Sequence, residues 1–336
     1  MEKYDVIVVG ELNVDIILNQ IDGFPVIGKE ILSGSLDLTL GSSSAIFASN
    51  LSSLGTKVAF VGKIGKDGFA STVLDNLKEK GVTTSQILVT EKINTGATIV
   101  LNYNQDRANV TYPGAMADLK MSDINWDVVK KARHLHLSSV FLQPGIRSQL
   151  PELFRKAKQL GLTTSLDPQW DPEEKWEIDL QELLPEVDIF LPNINEFLLL
   201  TGADSLEKGI EMVKSYSPKL NLVVKKGADG AIGWKGDKIF HQPAFLNKNA
   251  VDCIGAGDSF NAGFIHLFLQ GKTFDECLAF GALTGAVSTT KAGGTGAFSD
   301  IIAATETIQN NLLAENQNLE ILIKIKKEIN TKYQHA

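Results

Sequence analysis

Val251-Asp252-Cys253-Ile254-Gly255-Ala256-Gly257-Asp258-Ser259-Phe260-Asn261-Ala262-Gly263 is a glycine turn that opens straight into an apolar helix. Gly255 and Gly257 have no side chain to shield the backbone, and the first N–H groups of a helix have no partner within it. Together with the positive end of the helix dipole they favour an anion, such as a phosphoryl group in transfer. Asp258 then places a carboxylate beside that anion. A residue serving only as a cap would more cheaply be Ser or Thr, because a carboxylate repels phosphate. Its natural work here is to accept a proton from an attacking hydroxyl.

The flanking sequence sets this turn in an alternating chain. Val6, Ile7, Val8 and Val9 form a β-branched run ending at Gly10, the signature of a buried parallel strand. The pattern then predicts a helix over 44–54, a strand over 58–61, a helix over 67–80 and a hairpin from 98–103 and 108–112. Beyond 120 it predicts helices over 122–131, 146–160, 176–184, 193–200 and 205–216, with strands over 133–138, 163–167, 187–190 and 220–224. Short antiparallel strands near 230–235 and 238–241 lead to apolar helices over 256–269 and 274–290. Amphipathic helices close the chain from about 300 to 330, where Lys324, Lys326, Lys327 and Lys332 make a solvated basic face. The fold expected is α/β: a doubly wound, mostly parallel central sheet with helices on both faces.

The chain has 336 residues, of which 43% are hydrophobic, enough for a sizeable core. A net charge of −8, without a basic run interleaved with aromatics, argues against a nucleic-acid groove. Two cysteines, Cys253 and Cys277, are too few for a disulfide framework and are not spaced for zinc, so a reducing cytoplasm is expected. The first residues run into the first strand without a long apolar leader, so neither secretion nor a membrane partner is expected.

Further motifs are strung along this frame. Asn13 and Asp15 alternate onto one side as the chain leaves the first strand, and a carboxylate there can accept two hydroxyl protons. Gly41-Ser42-Ser43-Ser44-Ala45-Ile46-Phe47 is a small-residue loop entering a helix that closes at Gly55. Val61-Gly62-Lys63-Ile64-Gly65-Lys66-Asp67 is a strand-turn-helix junction. Leu191-Pro192-Asn193-Ile194-Asn195-Glu196 suits a helix cap. Val223-Val224-Lys225-Lys226-Gly227-Ala228-Asp229-Gly230-Ala231 joins a strand to a glycine turn, and Ala292-Gly293-Gly294-Thr295-Gly296 is a glycine loop.

In this order the strings resemble the ribokinase (PfkB) family of carbohydrate kinases, over about residues 4 to 300. The resemblance implies ATP-dependent phosphorylation of a hydroxymethyl group on a small sugar or sugar acid, with ATP and Mg²⁺ as cofactors. Asp258 becomes the base, and Gly255, Ala256 and Gly257 hold the charge that develops on the phosphate. Asn13, Asp15, Gly41 and Ser42 face the sugar. Asn193, Lys225, Gly227, Gly230 and Gly294 serve ATP, Gly294 as part of a loop beside adenine, and Glu196 positions Mg²⁺ through water. Asp252 and the Ile254 carbonyl frame a K⁺ site found in some relatives. The resemblance also implies a small β-lid from about 12–38 and 93–113, through which relatives dimerise. One kinase unit then spans 1–305, and 306–336 is a helical extension.

Several positions depart from the family pattern. Ser42 stands for a second glycine and Ile46 for a sugar-binding Asn, whose loss Asn50 or the serine hydroxyls would offset. Cys253 replaces Thr and reads as a buried thiol, and Lys225 replaces a small hydroxyl residue. Asp167-Pro168-Gln169-Trp170 lacks the arginine of Asp-x-Asn-x-Arg, a charge that Arg107 of the hairpin would supply if it faces the pocket. A nucleoside kinase on the same scaffold, and a catalytically silent sugar-binding regulator, remain as alternatives. Gly271-Lys272-Thr273 lacks the upstream glycine of a P-loop, Phe260 stands where a dinucleotide fingerprint needs glycine, and His134 and His136 read as packed side chains rather than metal ligands.

Overall fold

Val6 and Val8 of strand β1 (Val6–Val9) turn to one face of a sheet and Ile7 and Val9 to the other, and all four are fully buried. A strand apolar on both faces must lie centrally and be covered by helices on both sides. The computed structural model of the protein, which describes residues 4–103, 106–303 and 306–307, has that layering.

The remaining strands are β2 (Asn13–Asn19), β3 (Ser35–Leu40), β4 (Val58–Gly65), β5 (Thr83–Thr90), β6 (Gly96–Tyr103), β7 (Asp106–Tyr112), β8 (His134–Ser138), β9 (Thr163–Asp167), β10 (Ile189–Phe190), β11 (Asn221–Lys225), β12 (Ala231–Lys235) and β13 (Lys238–Gln242). The main sheet runs β13-β12-β11-β10-β9-β8-β1-β4-β5. Its strands are parallel except for β12, which is antiparallel to both of its neighbours. Helices Ser43–Ser53, Gly68–Glu79, Ala256–Leu269 and Phe274–Ser288 cover one face through side chains such as Phe47, Val73, Phe264 and Leu278. Helices Leu150–Gln159, Ile194–Thr201 and Leu206–Tyr216 cover the other through Phe154, Phe197 and Val213. The doubly wound architecture is as the sequence pattern implies.

Three local expectations are corrected. The helix expected over 122–131 is a 3₁₀ turn, Met121–Asp123, then a single turn, Trp126–Val129, begun by Asn125 as cap. The helix expected over 176–184 shrinks to Leu180–Leu183, because Trp176 takes a positive φ of 56° and Asp179 caps a new start. Edge strand β5 is absent from the sequence reading, since its side chains are half-buried or exposed and show no clean apolar face.

A second sheet, ordered β3-β2-β6-β7, stands over the loops at the carboxyl ends of the main strands as a lid. Across it, Thr39, Asp15, Thr98 and Thr111 are in register, and the next row is Leu38, Ile16, Ile99 and Val110. Alternation therefore gives the lid a polar face and an apolar face. Asp15, Thr98, Arg107, Asn109 and Thr111 of the polar face line a cleft against the main sheet. The apolar face points outward, with Leu36 60%, Leu38 47%, Val110 64% and Tyr112 53% exposed. Of the closing helices expected from about 300 to 330, the part beyond 307, with the lysine face, lies outside the described residues.

Candidate active site

Helix Ala256–Leu269 starts where the quoted glycine turn predicts. Gly255 precedes it at φ 69°, a left-handed conformation that favours glycine, and a Cβ there would sit 2.8 Å from Gly294 Cα and 2.9 Å from Ile46 Cγ2. Asp252 braces the turn, accepting from the Ile254 N–H and from the Gly293 N–H at 2.8 Å. The Ile254 carbonyl accepts from Ser288 Oγ at 3.2 Å. Both oxygens assigned to a cation thus already have protein partners.

Asp258 lies in the first turn, buried, with its carboxyl at the bottom of a cleft of about 470 Å³. Gln169 Nε2 donates to Asp258 Oδ1 at 2.9 Å and to Asp167 Oδ2 at 3.0 Å. Asp167 Oδ2 also accepts from Lys225 Nζ at 2.7 Å and from Asn261 Nδ2. Burial, and then the neighbouring Asp167 charge, push the Asp258 carboxyl well above the usual carboxylate range. Burial pulls the other way on Lys225, but Asp167 and Glu196 outweigh it and hold the ammonium protonated above its ordinary value.

The opposite wall comes from the lid and the loop after β1. Asn13 Nδ2 donates to Asp15 Oδ1 at 3.1 Å and to Thr98 Oγ1 at 3.0 Å, fixing the carboxylate toward the cleft. Burial raises Asp15 to about 6, with Asn13 and the Arg107 charge offsetting part of the rise. Gly41 is required beside it: a Cβ would lie 2.7 Å from Asn13 Nδ2 and closer still to Asp15 Oδ1. Ser42 adopts φ 71°, the conformation of the glycine it replaces. Its hydroxyl donates to the Glu11 carbonyl at 2.6 Å and accepts from Ala45 N at 3.0 Å, so it caps helix Ser43–Ser53.

Asn193 and Glu196 form a capping box: Asn193 N donates to Glu196 Oε2 at 2.9 Å, and Glu196 N to Asn193 Oδ1 at 2.9 Å. Both also line the cleft. Burial, then the Asp167 charge, raise Glu196 to about 7.

A second, more apolar cavity of about 350 Å³ adjoins the cleft, and Lys225, Gly227, Cys253, Ala256 and Gly257 line both. Gly230, Phe245, Asn247, Phe260, Ala282 and Ala286 are among its other walls. The start of the helix is therefore the partition between a polar chamber and an apolar one.

Of the sequence-named residues, Asn13, Asp15, Ser42, Arg107, Asn193, Glu196, Lys225, Gly227, Ile254, Gly255, Ala256, Gly257 and Asp258 converge on the cleft, Gly41 stands behind Asp15, and Gly230 lines the apolar cavity. Gly294 does not join them: it packs on Ile46 and its carbonyl accepts from Asn50 Nδ2 at 2.9 Å, so it lines neither cavity. That same bond, with another to Ser259 Oγ at 2.9 Å, turns Asn50 into the core, so it does not replace the missing sugar-binding Asn. Cys253 is exposed, not buried. His134 and His136 are packed as expected, bonded to Ser165 and held neutral by burial.

Sequence reasoning missed Glu11 and Gln169. Glu11 lines the cleft from a buried position, accepts from Ser44 N at 3.2 Å and from Ser44 Oγ, and is raised by burial to about 7. Gln169 sits at φ 61° just past β9. The one available signal was position, since ligands of open α/β sheets gather at the carboxyl ends of strands.

An anion-binding helix start with a carboxylate beside it, shared by a polar and an apolar chamber, defines a small-molecule phosphotransferase on an α/β scaffold. Residues 3–301 match the pfkB family carbohydrate kinase model, and the chain belongs to that family. It is a carbohydrate kinase. A protein of Archaeoglobus fulgidus named an uncharacterized sugar kinase is 31% identical over 251 residues, covering 72% of this chain and 95% of that protein. Fructokinase-2 of Oryza sativa subsp. japonica is 29% identical, covering 82% of this chain and 87% of its own. Among solved structures, a Ribokinase II from E. coli in complex with ATP and Mg²⁺ superposes with a TM-score of 0.79 at 24% identity, over 91% of this chain and 99% of the other.

Proposed function

We propose that the protein transfers the terminal phosphoryl group of MgATP to a hydroxymethyl group of a small neutral sugar, with Asp258 as the base. The observation that supports this reading is the shared partition: Gly257 lines both the polar cleft and the apolar cavity and Asp258 lines the cleft beside it, so an acceptor in the one can meet a nucleotide reaching in from the other. Asp15, with Asn13, Thr98 and Asn109 around it, matches the hydroxyls of a sugar. Asp258 takes the acceptor proton, and the N–H groups of the helix start stabilise charge on the phosphate. Gln169 leaves one Asp258 oxygen for that proton.

Glu11, Asp15, Glu196 and Asp258 face the cleft against Arg107 and Lys225, which disfavours a sugar acid. A second reading, a nucleoside acceptor, draws support from the apolar patch of Ile46, Val100, Leu142 and Trp170. The formed cleft with its carboxylate argues against a silent regulator. For Mg²⁺, the described residues contain no cluster of three acidic, His or Cys side chains able to hold a metal. Glu196 is committed to its capping box, so it fits an ion kept by phosphates and water, which is how Mg²⁺ is commonly held. At the K⁺ site the Asp252 and Ile254 oxygens are already hydrogen-bonded, and no step is assigned to that ion.

The apolar outer face of the lid fits a second copy of the chain, so we assign the working form as a homodimer through the lid. A cytoplasmic setting agrees with the free thiols of Cys253 and Cys277 and with the lack of a membrane-spanning helix among the described residues. A kinase unit over 1–305 agrees with the family match ending at 301; the extension read over 306–336 lies outside the described residues beyond 307.

The test is Asp258→Asn in a coupled ADP-release assay across ketoses, aldoses, sugar acids and nucleosides. The kcat on the preferred acceptor should fall about 10²-fold or more, on the usual general-base scale, with nucleotide affinity kept. Wild-type turnover by that variant removes the base assignment, and a preference for nucleosides or sugar acids removes the neutral sugar.

A further inference from the structure

We propose that Lys225 is a further catalytic residue whose ammonium grips the terminal phosphoryl group during transfer, and that Asp167 is where it rests while the site is empty. The inference builds on the kinase reading of the two chambers.

Lys225 ends β11 and lines both chambers, yet is only 8% exposed. Its Nζ bonds Asp167 Oδ2 at 2.7 Å and Asn261 Oδ1 at 3.3 Å, which uses two of the three donors of an ammonium. A Cβ built on Gly257 would lie 3.6 Å from that Nζ, so the charge stands against the turn whose N–H groups await an anion. On the polar side it is surrounded by Asp167, Glu196 and Asp258. An incoming phosphate meets those carboxylates as well, and Lys225 is the buried cation that answers them.

Asp167 is arranged to release the lysine. Its Oδ2 keeps the Asn261 and Gln169 amides when Nζ swings away, so a buried charge is not left bare. In the transfer the acceptor O–H proton passes to Asp258 and the acceptor oxygen bonds to phosphorus. The bond from that phosphorus to the bridging oxygen breaks, and its electron pair leaves with ADP. Lys225 stays protonated throughout and contributes one N–H to a phosphoryl oxygen.

A structural role, neutralising Asp167 and nothing more, makes a different forecast. Lys225→Met alone removes the ion-pair partner of a buried carboxylate and so changes stability as well as catalysis; the deciding protein is therefore the full chain carrying Lys225→Met with Asp167→Asn, which removes both charges together. We expect it to melt close to wild type and bind ADP with wild-type affinity by calorimetry. Its kcat with the wild type's preferred sugar should fall about 10²-fold, as when a phosphate- or oxyanion-binding donor is lost, and ATP should lose any advantage over ADP. Wild-type kcat in the double variant overturns the proposal. If the wild type itself turns over no ATP with any acceptor of the panel, it is the kinase reading that fails.

Discussion

Replacing Gln169 by glycine separates two things this residue does at once. Its backbone sits at φ 61°, which costs an ordinary L-residue about 1–2 kcal/mol, and glycine is free of that strain. Its amide meanwhile donates to Asp258 at 2.9 Å. A hydrogen bond to a charged group contributes about 1.5–3 kcal/mol, so losing it from the base during proton transfer corresponds to roughly a 10- to 10²-fold fall in kcat/KM. Strain relief is offset in part by the greater freedom glycine gives the unfolded chain, about 0.4–1 kcal/mol, so the melting temperature should stay within about 3 °C of wild type. A stable, slow enzyme is the expected result. The pH profile adds a readout that a merely structural role would not move. Asp258 must be ionised to accept a proton, and burial with Asp167 nearby already raises it, so activity falls as pH drops through its value. The Gln169 amide favours the ionised form; without it the acid limb of kcat/KM should move to higher pH. Gln169→Gly with wild-type kcat/KM and an unmoved acid limb refutes the role given to this side chain.

Three other outcomes follow from the geometry. Glu11 is raised by burial from 4.5 to about 7, so the empty folded protein binds its proton more tightly than the unfolded chain does. Its contribution is complete below the ordinary carboxylate value and is lost as pH rises through about 7, a change of about 3 kcal/mol; denaturant titrations across that range should show the slope, and Glu11→Gln should flatten it. Cys253 lies exposed on the rim shared by both chambers while Cys277 is buried, so iodoacetamide should label Cys253 and stop turnover, and ATP should slow the labelling; unchanged rates with nucleotide would place the thiol away from the phosphate path. Lysine at Leu38 and Val110 together should halve the particle mass in sedimentation if the outer lid face joins two copies, whereas an unchanged mass puts the contact elsewhere.

Much of the scaffold was readable because burial leaves a period in the sequence. The doubly buried run Val6–Val9 and the helices after residue 190 follow from apolar spacing, and the glycine turn before Asp258 follows from backbone geometry. What escaped has no period. Strand β5 is half solvated, so its alternation is faint. Gln169, Glu11 and Asn50 are polar residues whose roles depend on which partner stands opposite, and those partners are distant in sequence: Asp258, Ser44 and Ser259 respectively. Spacing located Asn50 on its helix but not which way its amide turned. Where Gly294 packs was hidden for the same reason, as a glycine loop states that backbone comes close to something without naming the neighbour.

The wall between the two chambers is built of main chain. Residues 255–257 carry almost no side chain, so the distance and direction over which a phosphoryl group crosses are set by a turn and a helix axis. Side chains of the lid line the polar chamber, and those of the loop after β13 and of helix Phe274–Ser288 line the apolar one. Either compartment can be refurnished by substitution while the doorway keeps its shape. A library that randomises Thr98, Val100, Asn109 and Thr111 should therefore yield altered acceptor preference more often than it yields loss of phosphoryl transfer.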